Sequence, residues 1–140
     1  MFKGGLEEAA KMLQLLGKEE GQKLLETIRA KDPFMADQLE KNMVKMEDLQ
    51  YCSEAQLVGL LRDVNLEEFG LALRIVDKDV VEKLMGMVST GIRLDIEDGL
   101  KGKPRKMSEV NKAQDKILEI IRKKVAEGHL VLDPEGDKLV

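Results

Sequence analysis

Apolar residues recur at intervals of three and four along almost the whole chain, and this helical period restricts the fold more than any other feature. It is seen near the start in Leu6, Ala9 and Leu13, and near the end in Ile117 and Ile121. The alternation typical of strands is confined to the short run HLVL at 129–132. At 140 residues with 43% hydrophobic content, the chain can supply a core. The sequence predicts an all-α fold.

Capping residues predict where these helices begin and end. The candidate N-caps are Asp32, Ser53, Asn65, Asp77, Ser89 and Ser108, and the candidate stops are Gly17 and Gly128. The first three helices, ending near Asn42, resemble one armadillo-like right-handed superhelical unit. The helical pattern after Asn42 predicts a C-terminal bundle of about five to six helices.

The segment 89–106, STGIRLDIEDGLKGKPRK, predicts a helix whose charges oppose its own dipole. Asp95, Glu97 and Asp98 fall in its last turns, where partial negative charge makes each acid cost about 0.3–1 kcal/mol. Ile92, Ile96 and Leu100 form its buried stripe, which places Asp98 outward. Positions that break a local rule are often functional. The alternative is an ordinary solvated face with an Arg93–Glu97 pair.

Residue types and spacing argue against an enzyme. His129 is the only histidine and Cys52 the only cysteine, which leaves no Cys/His nucleophile pair, no zinc-type ligand set and no expected cofactor. Gly4-Gly5 lacks the following GKS or GKT of a phosphate loop and is interpreted as the end of a flexible linker. The prediction is a protein without catalytic or metal-binding residues.

Composition favours a cytoplasmic protein. A single cysteine fits a reducing compartment, and neither an N-terminal signal nor a run long enough to span a membrane is evident. The net charge of −4 argues against nucleic-acid binding by the whole surface. Four basic residues suggest binding to nucleic acid or to an anionic surface as a weaker alternative; they are Lys101, Lys103, Arg105 and Lys106. Without interleaved aromatics they are more typical of a solvated loop.

A colinear series of short motifs resembles the C-terminal part of the FliG family of flagellar motor switch proteins. MVKMEDL at 43–49 resembles the family's MFxFEDL, and LLRDVNLEEFGLALR at 60–74 resembles LLREVD...LALALK. Glu97-Asp98 falls where the family has an acidic pair. PRKMSEV at 104–110 is similar to GPVRLSDV, and EGHLVL at 127–132 to EGEIVI. Each motif alone is common, whereas their order is specific.

The resemblance implies the C-terminal third to half of such a protein, or a short divergent paralogue. It assigns 1–42 to the armadillo-like unit, 43–46 to a hinge and 47–140 to a helical subdomain with its charged helix at 89–99. It implies a rotor component at the cytoplasmic face of the basal body, without membrane insertion. The implied partners are the cytoplasmic loop of the stator protein MotA, FliM and neighbouring FliG subunits. The candidates for the contacts with FliM or a neighbouring FliG subunit are Leu13, Leu16 and Leu25.

Residue by residue, the resemblance predicts a charged stator-binding surface and a hinge. The stator-binding candidates are Arg74, Arg93, Asp95, Glu97, Asp98 and Lys106; the hinge candidates are Met43, Val44, Lys45 and Met46. Gly91 and Gly99 stand where the family carries charge, and Gly99 is also a candidate helix end. The competing hypothesis, suggested by these two glycines, is a divergent helical adaptor without a torque role.

Overall fold

The structure, a computed structural model, describes residues 3–132, with side chains described from residue 5. Its α-helices are α1 (Lys3–Leu15), α2 (Lys18–Lys31), α3 (Pro33–Lys41), α4 (Glu54–Leu61), α5 (Leu66–Ala72), α6 (Lys78–Met85), α7 (Thr90–Leu100) and α8 (Met107–Ala126). Two 3₁₀ helices, Met46–Tyr51 and Leu73–Ile75, lie before α4 and after α5. The described residues contain no strand, so the all-α prediction is confirmed.

The chain divides into two compact units, the first ending at Met43 and the second beginning at Val44. This division falls within the segment that the sequence assigns as a hinge. Residues 1–2 of the predicted first domain and 133–140 of the predicted second domain lie outside the described residues. Each unit has its own hydrophobic core.

The first unit packs α1, α2 and α3 around a small core. Its buried residues are Ala10, Leu13, Leu25, Ala36 and Leu39. Arg29 of α2 joins α3 through Asp37 at 2.7 Å and Glu40 at 3.0 Å. Since Gly4 and Gly5 lie within α1, the expectation of a linker end there is wrong.

The second unit is built around α8, whose apolar face supplies Val110, Ala113, Ile117 and Ile121 to the core. Phe69 of α5 and Ile96 of α7 are completely buried in the same core. The buried amide of Gln114 donates from Nε2 to the carbonyl of Ala72 at 2.9 Å, which satisfies an acceptor at the end of α5. Helix α8 therefore holds α5 in place by packing and by a specific polar contact.

Most predicted caps are present. The side chains of Asp32, Ser53, Asn65, Asp77 and Ser89 each accept a backbone N–H at the start of the following helix. Gly17 and Gly128 have positive φ angles of 87° and 79°, as expected at helix ends. Ser108 is the exception: α8 begins at Met107, and its N-cap is Lys106, without a side-chain cap.

Candidate functional site

One side of helix α7 packs against the rest of the second unit. Ile96 and Gly99 are buried, and Ile92 and Leu100 pack half-buried against the same core. The predicted apolar stripe is therefore present, and Gly99 joins it. The helix continues to Leu100, so Gly99 does not end it.

Gly99 and Gly70 allow α7 and α5 to cross at backbone contact. A Cβ at position 99 would lie 1.8 Å from the carbonyl oxygen of Glu67, and one at position 70 would lie 2.0 Å from that of Ile96. Neither position can hold a side chain at this spacing. The interpretation of Gly99 as a charge missing from the displayed surface is therefore wrong. Gly91, by contrast, faces open space.

The acids of α7 are presented in different ways. Asp95 and Asp98 are exposed, and within the described part of the chain neither forms an ion pair. Glu97 is half-buried and lies 3.8 Å from Lys101 Nζ, an ion pair on the same helix side. No basic residue lies in the last turn of the helix itself. Two free carboxylates therefore remain available to a partner.

Arg93 does not form the pair with Glu97 that the solvated-face alternative proposes. Its Nη2 donates to the carbonyl of Met85 at 3.2 Å, which ties the start of α7 to the end of α6. The Arg93 side chain thus has a structural contact as well as an exposed surface.

Arg74 lies in the second 3₁₀ helix and is half-buried. Its Nε donates to the carbonyl of Gly99 and its Nη1 to that of Lys103, both at 2.8 Å. The family resemblance predicted that Arg74 belongs to the stator-binding surface. In the structure, this guanidinium is hydrogen-bonded to one backbone acceptor in the last turn of α7 and to one in the loop that follows it.

Lys106 follows the basic loop and is exposed as the N-cap residue of α8. Next to it, Arg105 forms an ion pair with Glu109 at 2.6 Å, and this hydrogen bond lowers the pKa of the Glu109 carboxyl. Of the loop cations, Arg105 is partly neutralised, whereas Lys106 forms no ion pair among the described residues.

A cleft of about 490 Å³ connects several of these charges. Its charged lining consists of Glu67, Glu68 and Asp98 together with Arg74, Lys103 and Arg105. Of the predicted site residues, Arg74 and Asp98 meet here, while Arg93 and Glu97 line a second cavity with Arg74. Sequence reasoning missed Glu67 and Glu68, because only the crossing of α5 and α7 brings them near Asp98.

The hinge candidates differ in their surroundings. Met43 packs half-buried against the core of the first unit, whereas Met46 is 2% exposed in the core of the second. Val44 and Lys45 have no regular secondary structure, and the Lys45 N–H donates to the Asp48 carboxylate at 3.0 Å. Of the four, Met43, Val44 and Lys45 therefore lack regular structure, and Met46 begins the first 3₁₀ helix.

The apolar contact candidates of the first unit require correction. Leu13 and Leu25 are core residues and are not exposed to a partner. Leu16 is exposed, and the structure adds Met12, Leu15, Leu24 and Phe34 as exposed apolar residues. Sequence periodicity alone did not separate the two sets, since both belong to amphipathic helices.

Two further findings concern the described residues as a whole. None of the helices within 3–132 combines the length and apolar character needed to cross a membrane. Over the same range, no group of three or more His, Cys, Asp or Glu side chains is placed to bind a metal ion.

Comparison with known proteins supplies the family. Residues 26–132 match the family described as the FliG C-terminal domain. The chain belongs to the FliG C-terminal domain family. This match covers the C-terminal part of α2, all of α3, the hinge candidates and the charged surface of α7.

Curated relatives share this assignment. The flagellar motor switch protein FliG of Aquifex aeolicus is 31% identical over 127 residues, which cover 90% of this chain and 39% of the relative. That of Pseudomonas aeruginosa is 31% identical over 134 residues, covering 95% and 40%. The chain thus spans about two-fifths of the length of these relatives. A crystal structure of residues 86–343 of FliG from H. pylori shares the fold at a TM-score of 0.71 and 23% identity, covering 93% of this chain and 62% of that one.

Proposed function

We propose that this chain is the torque-bearing part of a flagellar rotor, located at the cytoplasmic face of the basal body, and that the stator protein MotA docks on the α7 surface. The observation that carries the proposal is the pair of exposed, unpaired carboxylates Asp95 and Asp98 on a helix that is firmly packed on its other side. Lys106 supplies a cation of opposite sign beyond the same helix. A partner loop carrying both charge signs would find a counter-charge for each.

The exposure of these charges suits a partner that must step. Ion pairs between exposed groups contribute about 0.2–1 kcal/mol, so several can form and break without trapping the complex. They also steer encounters over roughly a Debye length, about 8–10 Å at physiological ionic strength. Binding of the stator loop should therefore weaken as salt is added.

Charge reversal at both ends of the surface tests this function. In the native host, Asp98→Lys combined with Lys106→Glu should strongly reduce swimming while leaving helical content unchanged, because both partner contacts become repulsive. Swimming speed and circular dichroism are the measurements. The net charge of the chain is unaltered, so a general charge effect is controlled within the variant itself.

A matched control lies on α8. Lys112 and Glu119 are both exposed and outside the proposed surface, so Lys112→Glu with Glu119→Lys should leave swimming normal. If instead the Asp98 and Lys106 double variant swims like the parent, the torque function is wrong and the adaptor function is favoured.

We also propose that residues 43–46 act as the hinge used when the motor reverses. Two features support this proposal. Met43 packs against the first core and Met46 lies in the second, and Val44 and Lys45 between them have no regular secondary structure. A hinge of this kind requires the two cores to unfold separately. A single cooperative unfolding of both would contradict it.

The adaptor alternative is favoured by a different observation. Met12, Leu15 and Leu16 are 66%, 67% and 51% exposed, and their spacing puts them on one side of α1 and its C-terminal end. We propose this apolar row as the contact with FliM or a neighbouring FliG subunit. It is compatible with the torque function, but would be the main functional surface if the charged one proved inert.

A further inference from the structure

Arg74, which lies in a different helix, makes side-chain hydrogen bonds to the C-terminal end of α7 and to the loop that follows it. One goes from Nε to the carbonyl of Gly99 and one from Nη1 to that of Lys103. The last carbonyls of an α-helix have no partner within the helix and carry partial negative charge. A guanidinium at this point therefore satisfies an acceptor and opposes the dipole at the same time.

A cation at the C-terminal end of α7 offsets both the helix dipole and the acidic side chains of its last turns. The last turns of α7 contain Asp95, Glu97 and Asp98 and no basic residue. Arg74, from the 3₁₀ helix after α5, brings a positive charge to this end of α7 in addition to that of Lys101, the C-cap residue that pairs with Glu97. The backward charge order of α7 is thus compensated by a residue distant in the chain.

The loop after α7 is shaped around the same guanidinium. A Cβ at Gly102 would lie 2.7 Å from the carbonyl oxygen of Asp98 and 3.3 Å from Nη2 of Arg74. Glycine at 102 therefore permits the chain to turn tightly beside the arginine. Lysine at position 74 would not reproduce this pair of bonds, because the guanidinium donates from two separate nitrogens in a rigid fork whereas an ammonium is a single point donor.

We propose that Arg74 is a positioning residue: it caps α7 from a separate element and sets how Asp98 and the loop 101–106 are presented, without being the charge that the stator contacts. The functional part of this proposal rests on the proposed torque function. The structural part stands independently, since it concerns hydrogen bonds within this chain.

The spectroscopic test uses the full chain labelled with ¹⁵N. The Arg74 Nε–H should exchange with solvent at least about tenfold more slowly than that of Arg62, an exposed arginine that serves as internal reference. Arg74→Lys and Arg74→Gln should both raise amide exchange in 101–106 by about tenfold or more, with α8 unchanged, while Arg62→Lys should change neither. An Arg74 Nε–H that exchanges as fast as that of Arg62 would overturn the cap.

The functional test separates a positioning role from a direct contact. If Arg74 positions the surface, Arg74→Lys and Arg74→Gln should impair swimming to a similar extent, because both lose the fork. If the stator contacts its charge, Arg74→Lys should swim and Arg74→Gln should not, which overturns the positioning role. Failure of the torque function would appear elsewhere, as normal swimming in the Asp98 and Lys106 double variant, and would leave the exchange result untouched.

Discussion

Gly99 and Gly91 belong to the same helix but have opposite steric surroundings. The Cβ position of Gly99 overlaps the backbone of Glu67, while nothing lies within 4 Å of the Cβ position of Gly91. Gly99→Ala should therefore destabilise the second unit by about 1–3 kcal/mol or more, because α5 and α7 must separate. Gly91→Ala should be neutral or stabilise by up to about 1 kcal/mol, through helix propensity. Urea unfolding of both variants measures the difference.

The pair is informative because each substitution adds one methyl group to one helix. Equal stabilities would show that α5 and α7 do not cross at backbone contact in solution. Gly99→Ala should also lower the amide protection of α5, since the clash is with the carbonyl of Glu67. Within α7, packing therefore requires glycine at position 99, whereas position 91 can accept other residues.

At the scale of elements, the last turn of α8 is held to the end of α4 by Lys124 and Asp63. This ion pair lowers the pKa of Asp63 below its ordinary value of 3.8, chiefly through the hydrogen bond from Lys124. Because the folded-state pKa is depressed, the stabilisation is fully present above pH 3.8 and is lost as pH falls through the lower folded value. Exposure and screening keep it small.

The pH dependence can be isolated with Asp63→Asn. The variant should be slightly less stable than the parent at pH 7, and this difference should shrink as pH falls below 3.8 and through the lower folded-state pKa of Asp63. Urea midpoints at pH 7, 5 and 3 are the measurement. A difference that persists unchanged at pH 3 would mean that Asp63 stabilises the fold by something other than its charge.

At the scale of the whole molecule, two separate cores imply two separate unfolding events. Leu25 is 1% exposed in the first core and Ile117 is fully buried in the second. Replacing either by alanine should cost about 2–5 kcal/mol within its own unit. Leu25→Ala should speed amide exchange in α1 to α3 only, and Ile117→Ala in α4 to α8 only. Hydrogen exchange followed by mass spectrometry can measure this.

The outcome bears on the hinge proposal. If either substitution speeds exchange in both units equally, the cores are coupled, and residues 43–46 cannot serve as an independent hinge. The first unit has five buried hydrophobic residues among its described side chains, 5–43. It should show the weaker protection of the two, since small cores contribute little stability.

Local chemistry allowed much of the fold to be predicted. A cap such as Ser53 or Asn65 acts within three residues of itself, and an apolar stripe such as that of α8 has a period set by the helix, so both are readable from sequence. The two 3₁₀ helices were not predicted, because they are too short for a periodic signal. The candidate site was only partly predicted: Asp98 was expected to face outward and is exposed, whereas Arg74 is committed to backbone acceptors.

The sequence by itself determined the α-helices, most of their caps, the outward position of Asp98 on α7 and, through ordered motifs, the family resemblance. Only the tertiary structure decided that Gly99 is a contact between helices, that Arg74 caps α7, and that Glu67 and Glu68 share a cleft with Asp98. The physical reason is the distance along the chain over which each effect acts. Capping and periodicity join residues a few positions apart, whereas the crossing of α5 and α7 brings together groups about 30 residues apart, whose pairing depends on how whole helices pack.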